Sequence, residues 1–324
     1  MALDVGESVK GKLPQLLRWL VIVAAGAGFL GVRAVQVDHP APSDAPIEVA
    51  VTVDDLPRMA IPNSGSADVV LHRLVTAFQR HHLPPVTGFV NGKRLEEHPE
   101  DRAALREWLA AGNRIGNHTY SHPDLAKTSL AEFSEDVRRN EAVLESLQPG
   151  HDWRVFRYPF LQEGASESAR EAARSYLFSR GYRIAEVTVD FEDWQWFPIF
   201  HRCHADDRDV EKLRARYRRA ARDTLLDSDR QARTLFGRRI RQVLLIHAGE
   251  FTADMIDDLL EEYEAMGVRF VSLDDAMQDT VYHLDPRFAR NWGSPFLYQV
   301  RTALRGEDPN AKWPPYPELA SYCQ

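Results

Sequence analysis

The sequence predicts an α/β protein whose parallel strands form a distorted seven-unit (β/α) barrel. From Ile47 onward, short apolar runs rich in β-branched residues alternate with amphipathic stretches of helical periodicity. This order is typical of a parallel sheet with helices in the connections. Seven such runs are present, which indicates a closed or nearly closed barrel, with an open doubly wound sheet as the alternative.

The predicted strands are short and follow one another through the chain. In order they are "IEVAVTVDD", "VTGFVNG", "NRIGNHT", "WRVFRYPF", "YRIAEVTVD", "QVLLIHAG" and "VRFVSLDD". Helical patterns between them include "ADVVLHRLVTAFQRH", "PEDRAALREWLAAG" and "ADMIDDLLEEYEAMG", and several end in glycine, a common helix terminator. The "SLAE" spacing at residues 129–132 is that of a capping box, which predicts the start of a further helix.

Two segments depart from this alternation. Residues 205–239 form a long charged stretch with leucine, tyrosine and alanine at helical spacing, which predicts an enlarged helical connection. After Met277 the strand and helix signals fade, so residues 281–324 are predicted to form a tail that packs on the domain. The folded domain is therefore expected to cover residues 47–280.

The first 46 residues are predicted to lie outside that domain. Lys10, Lys12 and Arg18 precede "WLVIVAAGAGFLGV", an uncharged apolar run of 14 residues, as in an export signal. A helix of this length spans about 21 Å, less than a hydrocarbon core of about 30 Å, which favours a signal peptide. An N-terminal membrane anchor is the alternative, because the long side chain of Arg18 can place its charge at the membrane surface, which lengthens the stretch that could span the membrane. With a proline-rich linker at residues 35–46, the pattern predicts an exported protein of the periplasm or cell envelope.

Composition narrows the classes of ligand. The chain has 40 basic and 48 acidic side chains, a formal charge of −8, and no long basic run, which argues against a nucleic-acid partner. Its only cysteines, Cys203 and Cys323, exclude a disulfide framework and a thiolate zinc site. Two unpaired thiols are the favoured interpretation, and a single bridge in an oxidising compartment is the alternative. Nothing in the sequence indicates an oligomeric state.

Polar side chains stand at or just after the ends of five predicted strands, where the loops of a parallel barrel converge. In chain order they are Asp54 and Asp55, His118 and His122, Arg157, Asp190 with Asp193, and His247, and the aromatic residues Phe160 and Trp194 stand beside them. Each alone has an ordinary explanation, such as a helix cap or a surface histidine pair. Asp274 and Asp275, at the end of the seventh run, are assigned as caps on that basis. The coincidence at five strand ends predicts a functional cleft.

Asp55, His118 and His122 have the composition of a catalytic metal site. Two neutral imidazoles and one carboxylate, with one position open to water, form a common type of catalytic zinc site. Such an ion lowers the pKa of water toward ~7, which suits the hydrolysis of an amide or an ester. Iron, cobalt and manganese accept the same ligands, so the expected cofactor is one divalent cation, with Zn²⁺ as the default.

The other strand-end residues can supply the proton transfers of a hydrolysis. Asp54 can accept the proton of water, and Arg157 would keep its carboxylate ionised. His247 can deliver a proton to the leaving group, with Asp193 raising the pKa of the imidazole and fixing its orientation. A backbone N–H near Phe160 can complete an oxyanion site.

These motifs resemble those of the polysaccharide deacetylases of the NodB-homology type, carbohydrate esterase family four. The segments that carry the resemblance are "TVDD" at 52–55, "HTYSH" at 118–122, "RYPF" at 157–160, "DFEDW" at 190–194 and "LIH" at 245–247. The resemblance covers roughly residues 47–277. Val53 stands where phenylalanine is usual, and Phe160 where tyrosine is common.

The resemblance implies a distorted seven-unit barrel that removes acetyl groups from sugars with the help of a metal ion. It also implies a role for each matching residue. Asp54 would be the catalytic base, with Arg157 as its partner, and His247 would be the catalytic acid, with its pKa adjusted by Asp193. The metal ligands would be Asp55, His118 and His122, and the substrate contacts would be Phe160, Trp194 and Leu245. The leading hypothesis is deacetylation of N-acetylglucosamine in an acetylated polymer, either peptidoglycan or a chitin-like chain. O-acetyl esters of a xylan-like polysaccharide, a small amide, and a non-catalytic carbohydrate-binding protein are the alternatives.

Overall fold

Seven parallel strands form the centre of the molecule. The computed structural model describes residues 45–60, 65–203, 207–306 and 319, so the predicted export signal lies outside the described residues. The strands are β1 (Glu48–Leu56), β2 (Thr87–Val90), β3 (Arg114–Asn117), β4 (Val155–Phe156), β5 (Arg183–Ile184), β6 (Gln242–His247) and β7 (Arg269–Phe270). Each falls within one of the predicted runs, except that β1 continues one residue further, to Leu56.

The strands curl into a distorted barrel. Their order is β5-β4-β3-β2-β1-β6, and β7 pairs with the first residues of β1. The segment after β5 returns to β6 through a parallel bridge between Val189 and Leu244, which joins the two edges of the sheet. The predicted barrel is thus confirmed over the open doubly wound alternative. In the β1–β6 register Asp54 lies opposite His247, so two strand-end groups become neighbours.

Helices occupy the connections between strands. Within the described ranges the α-helices are α1 (Ala67–Arg80), α2 (Gly92–Glu97), α3 (Arg102–Ala110), α4 (Leu130–Leu147), α5 (Glu167–Ser179), α6 (Phe197–Cys203), α7 (Asp207–Phe236), α8 (Glu250–Ala265), α9 (Leu273–Met277) and α10 (Phe296–Arg305). The capping box at the start of α4 is confirmed, because the Ser129 hydroxyl accepts the Glu132 N–H and the Glu132 carboxylate accepts the Ser129 N–H. The enlarged connection is α7, a single helix of 30 residues. No described helix is both long enough and apolar enough to cross a membrane.

The side chains of β1 alternate between two hydrophobic clusters, as the two-residue period of a strand requires. Val49, Val51 and Val53 belong to the cluster shared with the helices. Ala50 belongs to a second cluster, which also contains one residue each from β2, β4 and β6 and several from the C-terminal segment. Thr52 and Asp54 share the face of Ala50, so the catalytic candidates lie on the inner side of the curled sheet.

Three expectations need correction. A helix, α10, follows Met277, although the sequence analysis predicts none; its Phe296, Leu297 and Val300 are buried in the second cluster, which fixes the helix there. The N-cap of α9 is Ser272, whose hydroxyl accepts the Asp275 N–H, whereas Asp274 pairs with Arg114 and Arg183. Cys203 is buried and disulfide-bonded rather than a free thiol, and the only other cysteine, Cys323, lies outside the described residues.

Candidate active site

Asp55, His118 and His122 bring three donor atoms together at the carboxyl ends of β1 and β3. One ligand atom from each lies within 4.8 Å of the others. The Asp55 Oδ1 is 3.4 Å from the His122 Nε2 and 3.7 Å from the His118 Nε2. The His118 Nδ1–H donates to the Arg157 carbonyl at 2.8 Å, so the Nε2 lone pair is left for a ligand.

Both imidazoles are kept neutral, which is the form that binds a metal. Burial lowers the pKa of His118 well below its usual value, and the charge of His122 lowers it further. Burial also lowers the pKa of His122, although Asp55 opposes the effect. Two neutral imidazoles and one carboxylate therefore fit a divalent cation, and this set is the two-histidine, one-carboxylate type.

The backbone around these donors is held in a conformation that few side chains adopt. Asp55, Thr119 and His122 all have φ near +60°, in the left-handed region. Strain of this kind persists only where surrounding contacts fix it. The Thr119 N–H is bound by the Asn117 side-chain carbonyl at 2.8 Å, and the His122 N–H by the Thr119 hydroxyl at 3.1 Å.

A buried network of asparagines completes the support of this loop. The Asn91 amide donates to the His118 carbonyl at 2.7 Å. The Asn140 amide donates to the Asn117 side-chain carbonyl at 2.9 Å and to the Val90 carbonyl at 2.8 Å. These asparagines are absent from the predicted site. The only sequence signal for them is the position of Asn91 and Asn117 at strand ends.

Asp54 and Arg157 form a buried ion pair beside the metal-site donors. The Arg157 Nη1 lies 3.1 Å from one oxygen of Asp54 and 3.3 Å from the other. The rest of the guanidinium is bound by the Ala185 carbonyl and the Thr52 hydroxyl. Burial raises the pKa of Asp54 to about 6, although Arg157 opposes the effect, so the group is an ionised base at neutral pH.

His247 and Asp193 form a second buried pair across the cleft. The His247 Nδ1 is 2.6 Å from Asp193, whose other oxygen accepts the His247 N–H and the Thr252 hydroxyl. Burial alone would lower the pKa of His247, but the charge and hydrogen bond of Asp193 raise it to about 10. His247 is therefore a protonated acid at neutral pH, with its Nε2 left for the cleft.

A cleft of about 600 Å³ joins these groups. Of the ten predicted site residues, eight line it, namely Asp54, Asp55, His118, His122, Phe160, Trp194, Leu245 and His247. The other two, Arg157 and Asp193, lie behind Asp54 and His247 and hold them. Phe160 and Trp194 are 60% and 46% exposed, so both present aromatic surface to the cleft. Phe160 itself has a φ of 57° on the short 3-10 turn after β4.

The C-terminal segment also reaches this cleft, which the sequence analysis does not predict. Arg290, Trp292, Gly293, Ser294 and Pro295 line its wall. A tryptophan, a glycine and a proline close together in a tail are the only sequence signal of such a structured loop.

Comparison with known proteins points to one family. Residues 42–181 match the family model described as polysaccharide deacetylase. A peptidoglycan-N-acetylglucosamine deacetylase of Bacillus cereus is 28% identical over 148 residues, which are 46% of this chain and 46% of that protein. One of Listeria monocytogenes is 24% identical over 229 residues, which are 70% of this chain and 38% of that protein. The chain thus spans less than half the length of either relative.

A solved structure supports the fold. The chitin deacetylase of the fungal pathogen Colletotrichum lindemuthianum superposes with a TM-score of 0.50 and 20% identity, and the match covers 72% of this chain and 88% of that one. The curled parallel sheet is therefore shared with a deacetylase structure. With the motifs gathered in one cleft and the family match over residues 42–181, the chain is similar to the polysaccharide deacetylases in both sequence and site.

Proposed function

We propose that this protein is a metal-dependent hydrolase that removes acetyl groups from N-acetylglucosamine residues of peptidoglycan or a chitin-like polymer. One observation carries the proposal: a metal-type donor set, an ionised base and a protonated acid share one cleft. The names of the Bacillus and Listeria relatives, which are peptidoglycan-N-acetylglucosamine deacetylases, support this substrate class.

The donor set of Asp55, His118 and His122 would hold one divalent cation, with zinc as the proposed ion. When bound, this cation supplies Lewis acidity that polarises the acetyl carbonyl and lowers the pKa of water. Its charge also favours the ionised form of the neighbouring Asp54.

The protein's own groups then divide the proton transfers. Asp54 accepts a proton from the attacking water, while Arg157 keeps the carboxylate ionised and oriented. The carbonyl oxygen gains negative charge, which the backbone N–H of Phe160 is proposed to stabilise. His247 donates a proton to the sugar nitrogen as the carbon–nitrogen bond breaks. The products are acetate and a free amine.

The proposal includes export to the cell envelope. The basic residues and apolar run at the N-terminus support it, and so does the disulfide-bonded Cys203, because disulfides persist in oxidising compartments. Peptidoglycan and chitin-like polymers are also found outside the cytoplasm. In this proposal the N-terminal segment is a signal peptide that is cleaved, and a membrane anchor is the alternative.

The decisive experiment measures acetate released from N-acetylglucosamine oligomers by protein stripped with a chelator, before and after zinc is restored. Release that returns with zinc supports the proposal, and Asp54→Asn serves as the matched control, with an expected loss of at least ~10²-fold in rate. Release from acetylated xylan but not from the oligomers would make the protein an esterase instead. A protein that binds oligomers without releasing acetate under any condition would be a non-catalytic carbohydrate-binding protein.

A further inference from the structure

The segment of residues 287–295 forms one wall of the substrate cleft. We infer that Trp292 on this segment is a sugar-binding surface that recognises a polymer unit next to the one being deacetylated. This inference rests on the proposed function, because it assigns a place to the rest of the substrate. It adds a specificity-determining residue that none of the five motifs contains.

The segment is fixed to the loops that follow β4 and β5. The Arg290 N–H donates to the Gly164 carbonyl at 3.2 Å, and the Gln162 amide donates to the Arg290 carbonyl at 3.0 Å. At the start of α10, the Phe296 N–H donates to the Val187 carbonyl at 2.7 Å. The wall is therefore held by the loop after β4, which carries Phe160, and by the segment after β5.

Gly293 brings the segment into direct contact with the backbone of the Phe160 turn. A Cβ atom at this position would lie 1.7 Å from the Phe160 carbonyl oxygen and 2.6 Å from the Leu161 carbonyl carbon. Because these neighbours are backbone atoms, a side chain there could not be accommodated without moving one of the two loops. The close approach places the adjacent Trp292 at the edge of the cleft beside Phe160.

Arg290 shapes the turn that presents Trp292. Its Nε donates to the Trp292 carbonyl at 2.7 Å, and its Nη2 donates to the Gly293 carbonyl at 2.5 Å. The guanidinium carbon also lies 4.8 Å from the centroids of both the Trp292 and Tyr298 rings, within the range of a cation–π contact. The indole is thus stacked on a buried arginine, which fixes its orientation while it remains only half-buried.

An indole held in this way suits a sugar ring. The C–H groups on one face of a pyranose form an apolar surface that packs on an aromatic ring, while the hydroxyls stay in contact with water. Trp194 and Phe160 offer further exposed aromatic surface in the same cleft. A volume of about 600 Å³ is within the usual range of ligand sites, so the cleft can admit more than an acetyl group.

The test compares Trp292→Ala and Trp292→Leu with Trp292→Phe, using the N-acetylglucosamine tetramer as the probe. We expect the alanine and leucine variants to raise KM for the tetramer about tenfold with kcat nearly unchanged, and the phenylalanine variant to restore most of the affinity. Leucine keeps apolar bulk without a flat ring, so it separates stacking from simple filling. Phe178→Ala, which removes an exposed aromatic ring outside the cleft, is the control and should leave KM unchanged.

Calorimetric binding of the same tetramer separates this inference from the proposed function. Wild-type protein could bind the tetramer without releasing acetate. If the alanine and leucine variants of Trp292 then lose this binding, the inference holds while the proposed activity fails. An unchanged KM and unchanged binding in the leucine variant would overturn the inference and leave the activity intact. A wild-type protein that neither binds nor deacetylates the tetramer would overturn both.

Discussion

Asp193 sets the pH range in which the imidazole of His247 is protonated. The carboxylate raises the pKa of His247 to about 10 against the opposing effect of burial. Activity that needs the protonated imidazole is present below this pKa and is lost as the pH rises through it. Asp193→Asn should therefore move the descending limb of the kcat/KM profile to lower pH. Thr252→Val, which removes one hydrogen bond to Asp193 but no charge, should move it much less.

If the kcat/KM of Asp193→Asn falls at the same high pH as that of the wild type, His247 is not the group that titrates there.

Arg157 has two effects that one substitution should reveal together. In Arg157→Met the carboxylate of Asp54 stays buried without its cation, which should lower the free energy of unfolding by about 3–5 kcal/mol. The pKa of Asp54 should also rise, because Arg157 lowers it, so the ascending limb of the rate profile should move to higher pH. Urea denaturation and a pH–rate profile measure the two effects.

Adding Asp54→Asn to Arg157→Met should recover part of the lost stability, because the uncompensated charge is removed. No recovery in the double variant would indicate that Arg157 stabilises the protein mainly through its bonds to Ala185 and Thr52.

The sequence predicts which charged side chains come together at the cleft, because parallel strands place their carboxyl ends at one edge of the sheet. It does not predict the supporting asparagines: Asn91 and Asn117 bind backbone groups of the metal-site loop, residues 118–122, and Asn140 donates to the Asn117 side chain. Asparagine is common in turns for local reasons, so a buried asparagine that joins distant strands has no sequence pattern of its own.

Among the elements, α4 supports the candidate metal site through Asn140. This side chain connects α4 to β2, to β3 and, through its carbonyl, to the Gly92 N–H at the start of α2. Asn140→Ala should lower the free energy of unfolding by about 1–3 kcal/mol, because buried polar groups lose their partners. It should also weaken zinc affinity about tenfold, since the loop of His118 loses its support. A competition titration with a chelating dye measures that affinity.

Asn113→Ala is the matched control. Asn113 is also buried and accepts the Val86 N–H at 3.0 Å, but it precedes β3, away from the metal-site loop. We expect reduced stability with unchanged zinc affinity. An equal loss of zinc affinity in both variants would mean that the metal site responds to general destabilisation and not to this network.

The strands are the elements that the sequence predicts best, because each falls in a short β-rich run between helical patterns. The closure of the barrel is less predictable, since the bridge from Val189 to Leu244 lies beyond the regular part of β5. Helix α10 is not predicted because apolar residues at helical spacing extend over only a short stretch of its sequence. Tertiary packing against the second cluster fixes the helix in place.

For the molecule as a whole, a bound cation should stabilise the folded state by mass action. At a free zinc concentration of 100 times Kd, the expected gain is about 2.7 kcal/mol in the free energy of unfolding. Wild-type protein should therefore melt at a higher temperature with zinc than without it. His118→Ala should show no such increase, because one of the three donors is lost.

Without zinc, the melting temperature of His118→Ala should lie close to that of the metal-free wild type, because the site is built on loops at the strand ends. A much lower value would mean that His118 contributes to the core itself, consistent with its burial rather than with a ligand role.

The pairing of β1 with β6 also bears on the order of events as the chain is made. Thr52, on one of the first strands to be synthesised, donates its hydroxyl hydrogen bond to Leu244, and the interior around Ala50 is filled only when α10 is present. Contacts so distant in sequence form slowly, because the long intervening chain must first be ordered. The barrel therefore cannot close cotranslationally until most of the chain has emerged, and a nascent chain that ends before α10 would expose its interior to proteases. For a protein that crosses a membrane before it folds, this late closure would be an advantage.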